Sequence, residues 1–458
     1  MAAETRRSEL RRYRSWALAN GFPDGVRDAR FLELVQQIEG GVYHGAPPIT
    51  LLVDGAQAFD AMLKDLATAR EEILLETYIL RDDRIGTQVQ TALISAVQRG
   101  VRVSVLADAM GSAGTHESFW EALERGGAVV RRFHRFWHMP FEALRRDHRK
   151  IIVIDRKVAF TGGMNIGEEY GSSIRAHSDS GWRDTFMRIE GSVALELAAV
   201  FAEGWDRAKG PPLPGLEYVS WSEGIVVPPL GSAQALGARA LGARVKRRLG
   251  LRHDRKRGRL VKRVEESAAE KTVEGDRAVL VLDSRPGRGQ REMIAIMAAL
   301  VGGARKRLWI TTPYFAPPTR ALQLLMRAAG RGVDVRLLLP GPKTDVPLAR
   351  HAAHGAYSAL LASGVRLFEY QPATLHSKTV VVDSFASVIG SSNLDFRSLW
   401  LNAECNLLLF DDVCAAGLEE AFLEDLKGSI EIVAADWSKR TVTHRIHDIV
   451  ARGLRLAL

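Results

Sequence analysis

An α/β protein built as two tandem α/β/α sandwich lobes, related by a pseudo-twofold with a site between them, is what the sequence predicts. Three observations carry this: a length of 458 residues, a regular alternation of strand-like and helix-like stretches, and one motif recurring at identical spacing in both halves. The length exceeds what one ordinary hydrophobic core organises and suits two domains. The alternation implies sheets covered by helices on both faces, largely parallel. The recurrence marks an internal duplication, and a duplicated pair brings equivalent edges together about a twofold.

Taken in order, residues 1–46 read as an N-terminal helical extension ending at Gly45-Ala46-Pro47-Pro48. The first lobe is assigned to 47–215. Its text runs ILLETYIL, a strand, then TQVQTALISAVQRG, an amphipathic helix closed by Gly100, then VRVSVLAD, a second strand. The second lobe, 277–437, repeats this grammar with RKRLWITTPYF, RALQLLMRAAGRG and VDVRLLLPG. Each half then reaches a second helix, a strand and the shared motif. Between the lobes lies a basic connector, 216–276, and after them a C-terminal amphipathic helix, 438–458.

Composition is that of a soluble globular chain, 46% hydrophobic and 26% charged. Two cysteines, Cys405 and Cys414, make no disulfide framework, and a reducing interior is expected. MAAETRRSELRRYRSW is basic without an apolar stretch behind it, so the middle region of a secretory signal is missing. No run approaches the roughly 18 apolar residues that span a bilayer. A chain like this that works on membranes is expected to lie on their surface. The net charge of +9 is concentrated: Arg239 to Arg263 holds twelve Lys or Arg against the single acid Asp254. Leu241, Val245 and Leu249 fall at helical spacing among those cations, which suits either an interfacial helix on anionic lipid or a solvated linker. Val442, Ile446, Ile449, Val450 and Leu454 form the C-terminal amphipathic stripe, which docks equally well on its own lobe or on lipid.

The duplicated motif is HRKIIVIDRKVAFTGGMN in the first half and HSKTVVVDSFASVIGSSN in the second. It places His148, Lys150, Asp155, Gly162 and Asn165 in register with His376, Lys378, Asp383, Gly390 and Asn393. His and Lys two apart in extended chain share a face, and the apolar residues that follow continue as a buried strand. Apposed across the twofold, two imidazoles and two ammonium groups surround one pocket. Such a pocket suits a phosphodiester, an anion whose equatorial oxygens must be neutralised before a nucleophile approaches. Lys150, Lys378, Asn165 and Asn393 are the candidates for that. One histidine attacks phosphorus and the other protonates the leaving alcohol, giving a two-step transfer. Asp155 and Asp383 complete the catalytic signature, but five positions after Lys they face away from it, which favours a scaffold role. Ser391 is a candidate phosphate contact on one side alone, because its counterpart is Gly163. Each histidine also needs a partner for its tautomer, and Asp184 in GWRDTFMRIEG and Glu404 in LNAECNLLLF are the candidates. No metal and no cofactor are expected, since two-metal phosphoryl sites need clustered carboxylates where this motif has Lys. Asp82, Asp83 and Asp108 read as loop or cap residues. His134, His138, His351 and His354 are candidates for the pocket mouth, with a structural histidine as the alternative.

These motifs resemble the phospholipase D superfamily, whose members place an acid against the catalytic histidine at the positions of Asp184 and Glu404. Within it, ILLETYILRDDRIG, DHRKIIVIDRKVAFTGGMNIGEEY, WRDTFMRIEG, TTPYF, LHSKTVVVD and GSSNLDFRSLWLNAECN look like the bacterial cardiolipin synthases, from about Pro48 to Trp437. The resemblance implies a phospholipase D-like fold and a phosphatidyltransferase that moves a phosphatidyl group through phosphohistidine to the headgroup hydroxyl of phosphatidylglycerol. It implies phospholipid substrates, with phosphatidylglycerol or phosphatidylethanolamine as donor. An anionic membrane surface and no nucleic acid are the expected partners, and the cytoplasmic side of the cell membrane is the expected place. It also makes the chain similar to the shorter, peripheral branch without N-terminal membrane helices. The residues do not distinguish the two histidines; the analogy with phospholipase D points to His148 as nucleophile. A phospholipase D hydrolase, a nuclease of the same superfamily and a non-catalytic membrane adaptor stay open as alternatives.

Overall fold

A computed structural model describes residues 22–39, 43–45, 47–133, 145–171, 181–216, 277–287 and 289–440. The connector beyond Leu216, the C-terminal stretch beyond Arg440, the first 21 residues, His134 and His138 lie outside the described residues. The chain opens with α1 (Ala29–Glu39) and β1 (His44–Gly45). The first lobe then follows as β2 (Ile49–Leu52), α2 (Gly55–Thr68), β3 (Glu72–Thr77), α3 (Arg84–Gln98), β4 (Arg102–Asp108), α4 (Glu117–Arg125) and β5 (Val129–Phe133). It continues with β6 (Ile151–Ile154), β7 (Val158–Gly162), β8 (Trp182–Arg183), β9 (Phe186–Glu190) and α5 (Ser192–Arg207). The second lobe runs β10 (Ala278–Ser284), α6 (Gln290–Gly303), β11 (Arg307–Thr311), α7 (Thr319–Gly330), β12 (Asp334–Pro340), α8 (Pro347–Ala362), β13 (Arg366–Tyr370), β14 (Thr374–Leu375) and β15 (Thr379–Val382). β16 (Ala386–Gly390), α9 (Phe396–Trp400), β17 (Glu404–Phe410), α10 (Asp412–Lys427), β18 (Ser429–Ile432) and α11 (Ala434–Trp437) complete it.

Local chemistry accounts for the elements that frame the site. α3 starts where the Asp83 carboxylate accepts from the Gly86 N–H at 2.9 Å, and buries Ile85, Val89, Leu93 and Ala96 at helical spacing. It ends where Gly100 takes a positive φ of 89°. β3 is buried along its whole length, as a strand covered on both faces must be.

Sheet order demonstrates the duplication. Among the described residues the first lobe's sheet reads β2-β9-β7-β6-β3-β4-β5, and the second contains the equivalent run β10-β17-β16-β15-β11-β12-β13, with β1 and β18 added at its edges. Both sheets are mixed rather than largely parallel. β3, β4 and β5 run parallel through helical crossovers, whereas β6 and β7 form a hairpin and β9 returns beside them antiparallel. The motif strand is followed by a tight turn, and a turn that short permits no parallel crossover.

The lobes do not merely touch. α5 and α10 lie between the two sheets in an apolar cluster that draws Leu74, Val153 and Met187 from the first lobe and Val281, Leu407 and Leu409 from the second. The N-terminal extension is also more than peripheral. Phe22, Val26, Phe31, Leu34 and Val35 enter the second lobe's core beside Ile296 and Leu300, and β1 pairs with β10. A buried polar seam crosses the same boundary: Arg149 reaches Asp283 at 2.5 Å, and Arg183 reaches Asp425 at 2.8 Å. No helix among the described residues is long and apolar enough to cross a membrane.

Candidate active site

The motif histidines lie just ahead of β6 and β15, in extended approach segments that bond to the opposite lobe rather than to their own sheet. Asp147 bridges Ala403 in parallel, and the His148 N–H donates to the Ala403 carbonyl at 2.9 Å. In the equivalent place β14 pairs with β8 in parallel, and the His376 N–H donates to the Arg183 carbonyl at 2.7 Å. These two short ladders hold each histidine beside the acid of the other lobe.

The acids are accordingly exchanged. Nδ1 of His148 donates to Glu404 Oε2 at 3.0 Å, and Nδ1 of His376 donates to Asp184 Oδ2 at 2.6 Å. A carboxylate has no proton to give, so Nδ1 carries the hydrogen and Nε2 of each ring is the nitrogen left for chemistry. All four groups are buried, with His148 at 8% and His376 at 4% exposure. Burial holds both histidines below their ordinary range, His148 down to about 4, against the opposing pull of the acids. Burial also keeps Glu404 from falling as far as His148 and Lys150 would draw it, yet its carboxyl still sits below the usual range.

Lys150 Nζ donates to the His148 carbonyl at 2.7 Å, and Lys378 Nζ donates likewise to the His376 carbonyl. Burial first, then neighbouring positive charge in the case of Lys150, lowers Lys150 to about 7, and burial lowers Lys378 to about 8. The charge of Lys378 is felt by both His148 and Lys150, so groups from the two lobes share one electrostatic environment.

Several predicted site residues have other partners. The Asp155 carboxylate accepts from the N–H groups of Arg70, Glu71 and Glu72 at 2.9, 2.7 and 3.0 Å, and Asp383 does the same for Arg305, Lys306 and Arg307 at 2.8, 2.7 and 2.9 Å. Both sit at positive φ, 52° and 53°, opening the turn after the motif strand. Their carboxylates thus clamp the start of β3 and β11, the scaffold position that the spacing favours. The Ser391 hydroxyl donates to Glu404 Oε2 at 2.5 Å. Asn165 Oδ1 accepts from the Ile79 N–H at 3.1 Å and its Nδ2 donates to the Tyr170 hydroxyl at 2.7 Å, which ties it to the scaffold. Asn393 is buried and its Oδ1 has no hydrogen-bond partner among the described residues.

Asp82, Asp83, Asp108 and His354 have partners in the scaffold. Asp83 caps α3, Asp82 pairs with His116, and Asp108 accepts from the N–H groups of Met110, Gly111 and Asp147. His354 lies 2.9 Å from Glu369 and against Tyr357 and Trp437. Sequence reasoning missed the rings that wall the site. Tyr78 lies 5.0 Å from His148, while Trp182 and Tyr170 lie 5.2 and 5.4 Å from His376. Trp182 was visible in the duplication, since it stands two residues before Asp184 as Asn402 stands two before Glu404.

Known proteins share this architecture. The chain matches the family described as "Cardiolipin synthase, PLD-like domain" over residues 62–177 and 297–426, one segment in each lobe. It is 30% identical to cardiolipin synthase 1 of Bacillus cereus over 93% of this chain and 75% of that protein. It is 33% identical to cardiolipin synthase A of Pseudomonas putida over 89% of this chain and 73% of that protein. The crystal structure of phosphatidylserine synthase from Haemophilus influenzae superposes with a TM-score of 0.64 at 15% identity, covering 93% of this chain and all of that one, a likeness of fold. The chain belongs to the phospholipase D-like cardiolipin synthase family and is a phospholipid phosphatidyltransferase.

Proposed function

We propose that the enzyme transfers a phosphatidyl group onto the headgroup hydroxyl of phosphatidylglycerol through a phosphohistidine at His148, working peripherally at the cytoplasmic face of the membrane. The observation that carries this is the exchanged pair of His-acid contacts. Two imidazoles, each locked by a buried carboxylate at Nδ1, share one electrostatic environment with two buried ammonium groups and leave Nε2 for chemistry. The phosphodiester of the donor, phosphatidylglycerol or phosphatidylethanolamine, brings negative charge between Lys150 and Lys378 and keeps both protonated.

His148, held neutral by burial, attacks phosphorus through Nε2. The P–O bond to the headgroup breaks, and the leaving oxygen takes a proton from His376, whose charged form is favoured by the negative charge of the bound phosphodiester and by Asp184 2.6 Å away. His376 then removes the proton from the incoming hydroxyl, which attacks the phosphohistidine and frees His148. The basic connector, outside the described residues, is proposed to hold the enzyme on anionic lipid.

The test is incubation of the purified protein with phosphatidylglycerol vesicles without added metal. A lipid with two phosphates plus free glycerol is expected, and single-stranded DNA should stay intact. Phosphatidic acid as the sole product would make the enzyme a hydrolase, and DNA cleavage without a lipid product would overturn the lipid reading altogether.

A further inference from the structure

The two acids occupy equivalent places, yet their surroundings differ at two side chains. Pairing across the lobes sets Ala403 opposite Asp147 and Arg183 opposite Leu375, so Glu404 and Asp184 correspond, and Asn402 corresponds to Trp182. The motif adds a second difference, Ser391 against Gly163.

Around Glu404 these positions supply donors. Asn402 Nδ2 donates to Oε1 at 3.2 Å, and the Ser391 hydroxyl shares Oε2 with His148. Around Asp184 they supply none. Oδ1 accepts from the Thr185 N–H at 2.7 Å, a Cβ at Gly163 would stand 2.1 Å from that same oxygen, and Trp182 turns its ring to His376. Side-chain length explains the contrast. Glu404 has one more rotatable bond than Asp184, so its carboxylate plane is free to swing unless side chains hold it. The shorter acid is held by the backbone of the next residue. Asn402 is 6% exposed, and a carboxylate can receive only the NH2 end of its amide, which sets the amide's orientation.

We infer that Asn402 is a positioning residue for the His148 centre: it fixes the Glu404 carboxylate and draws off part of its charge, making the pseudo-symmetric site chemically unequal. The inference deepens the proposed transfer and rests on His148 acting through Glu404. A carboxylate shared among three side-chain donors supports an imidazolium less than it would with the Asn402 donor removed. His148 is thereby kept as a neutral ring of fixed orientation. Removing the Asn402 donor makes Glu404 more basic and so raises the titration of His148, leaving His376 where it was.

The experiment follows the histidine ring carbons by NMR in the full-length protein as pH is varied, with His148→Ala and His376→Ala for assignment. Asn402→Leu, of similar size and without a donor, is expected to move the His148 titration to higher pH and leave His376 in place. Its kcat on phosphatidylglycerol vesicles should fall about ten- to hundred-fold at unchanged KM. Asn402→Ala serves as the second variant, with a thermal melt to verify the fold. A His148 titration identical to that of the unmodified protein in a folded variant overturns the inference. The titration is read without turnover, so an unmodified protein that makes no two-phosphate lipid would sink the proposed transfer separately from this assignment.

Discussion

Lys150 and Lys378 are almost wholly buried, and burial brings their ammonium groups down to about 7 and about 8. The free enzyme therefore loses the charges proposed to receive a phosphodiester as pH rises through that window. A bound phosphodiester favours the charged forms and shifts both titrations upward. In a pH series on phosphatidylglycerol vesicles, kcat/KM is expected to fall on the alkaline side between about pH 7 and 8, and kcat to hold to higher pH. Coincident alkaline limbs in the two profiles would remove the lysines from that role. The signature at this scale was legible, because His148, Lys150, His376 and Lys378 recur at one spacing in both halves. The partners of Ser391 and Asn165 were not, because a hydroxyl or an amide has several ways to bond and the fold decides which is within reach.

At the level of elements, the aspartate of the motif closes a turn. Asp155-Arg156 and Asp383-Ser384 both have positive φ at two successive residues, and the turns close through Lys157 N–H to Ile154 O at 3.0 Å and Phe385 N–H to Val382 O at 3.1 Å. This is the hairpin geometry that matches strand twist, and Asp tolerates it. Asp383→Ala would leave three N–H groups of the β11 approach without their acceptor. It should cost about 1–3 kcal/mol in urea unfolding and leave activity per folded molecule intact. A stable but inactive Asp383→Ala would restore a catalytic role. The short cross-lobe ladder at β8 and β14 carries a second prediction. Arg183 is buried, pairs with Asp425 and also donates to the carbonyls of Val53 and Asp184. Arg183→Met takes the guanidinium away from the buried Asp425 carboxylate and should cost about 3–5 kcal/mol, read from the same unfolding curves. A loss below 1 kcal/mol would show that water already reaches this pair.

Over the whole molecule the two lobes build the proposed site jointly, since each motif histidine bonds to the other lobe's acid. Stability double-mutant cycles should therefore show coupling of about 0.5–3 kcal/mol for His148→Ala with Glu404→Gln and for His376→Ala with Asp184→Asn. The within-lobe pairs, His148 with Asp184 and His376 with Glu404, should be near additive by comparison. Stronger coupling within lobes would refute the exchange. By itself the sequence determined the duplication, the α/β character of each lobe, the paired His and Lys groups and the two acids, because these depend on local periodicity and on spacing within one half. Tertiary structure alone decided that the acids cross over, that Asp155 and Asp383 serve as clamps, that Phe22 to Val35 join the second lobe's core, and that Asn402 and Trp182 make the two centres unequal. Most of these contacts join residues some seventy to more than two hundred positions apart, and such contacts leave no periodic trace in the chain. They are selected by which faces can be buried together, and that is settled only when both sheets close over α5 and α10.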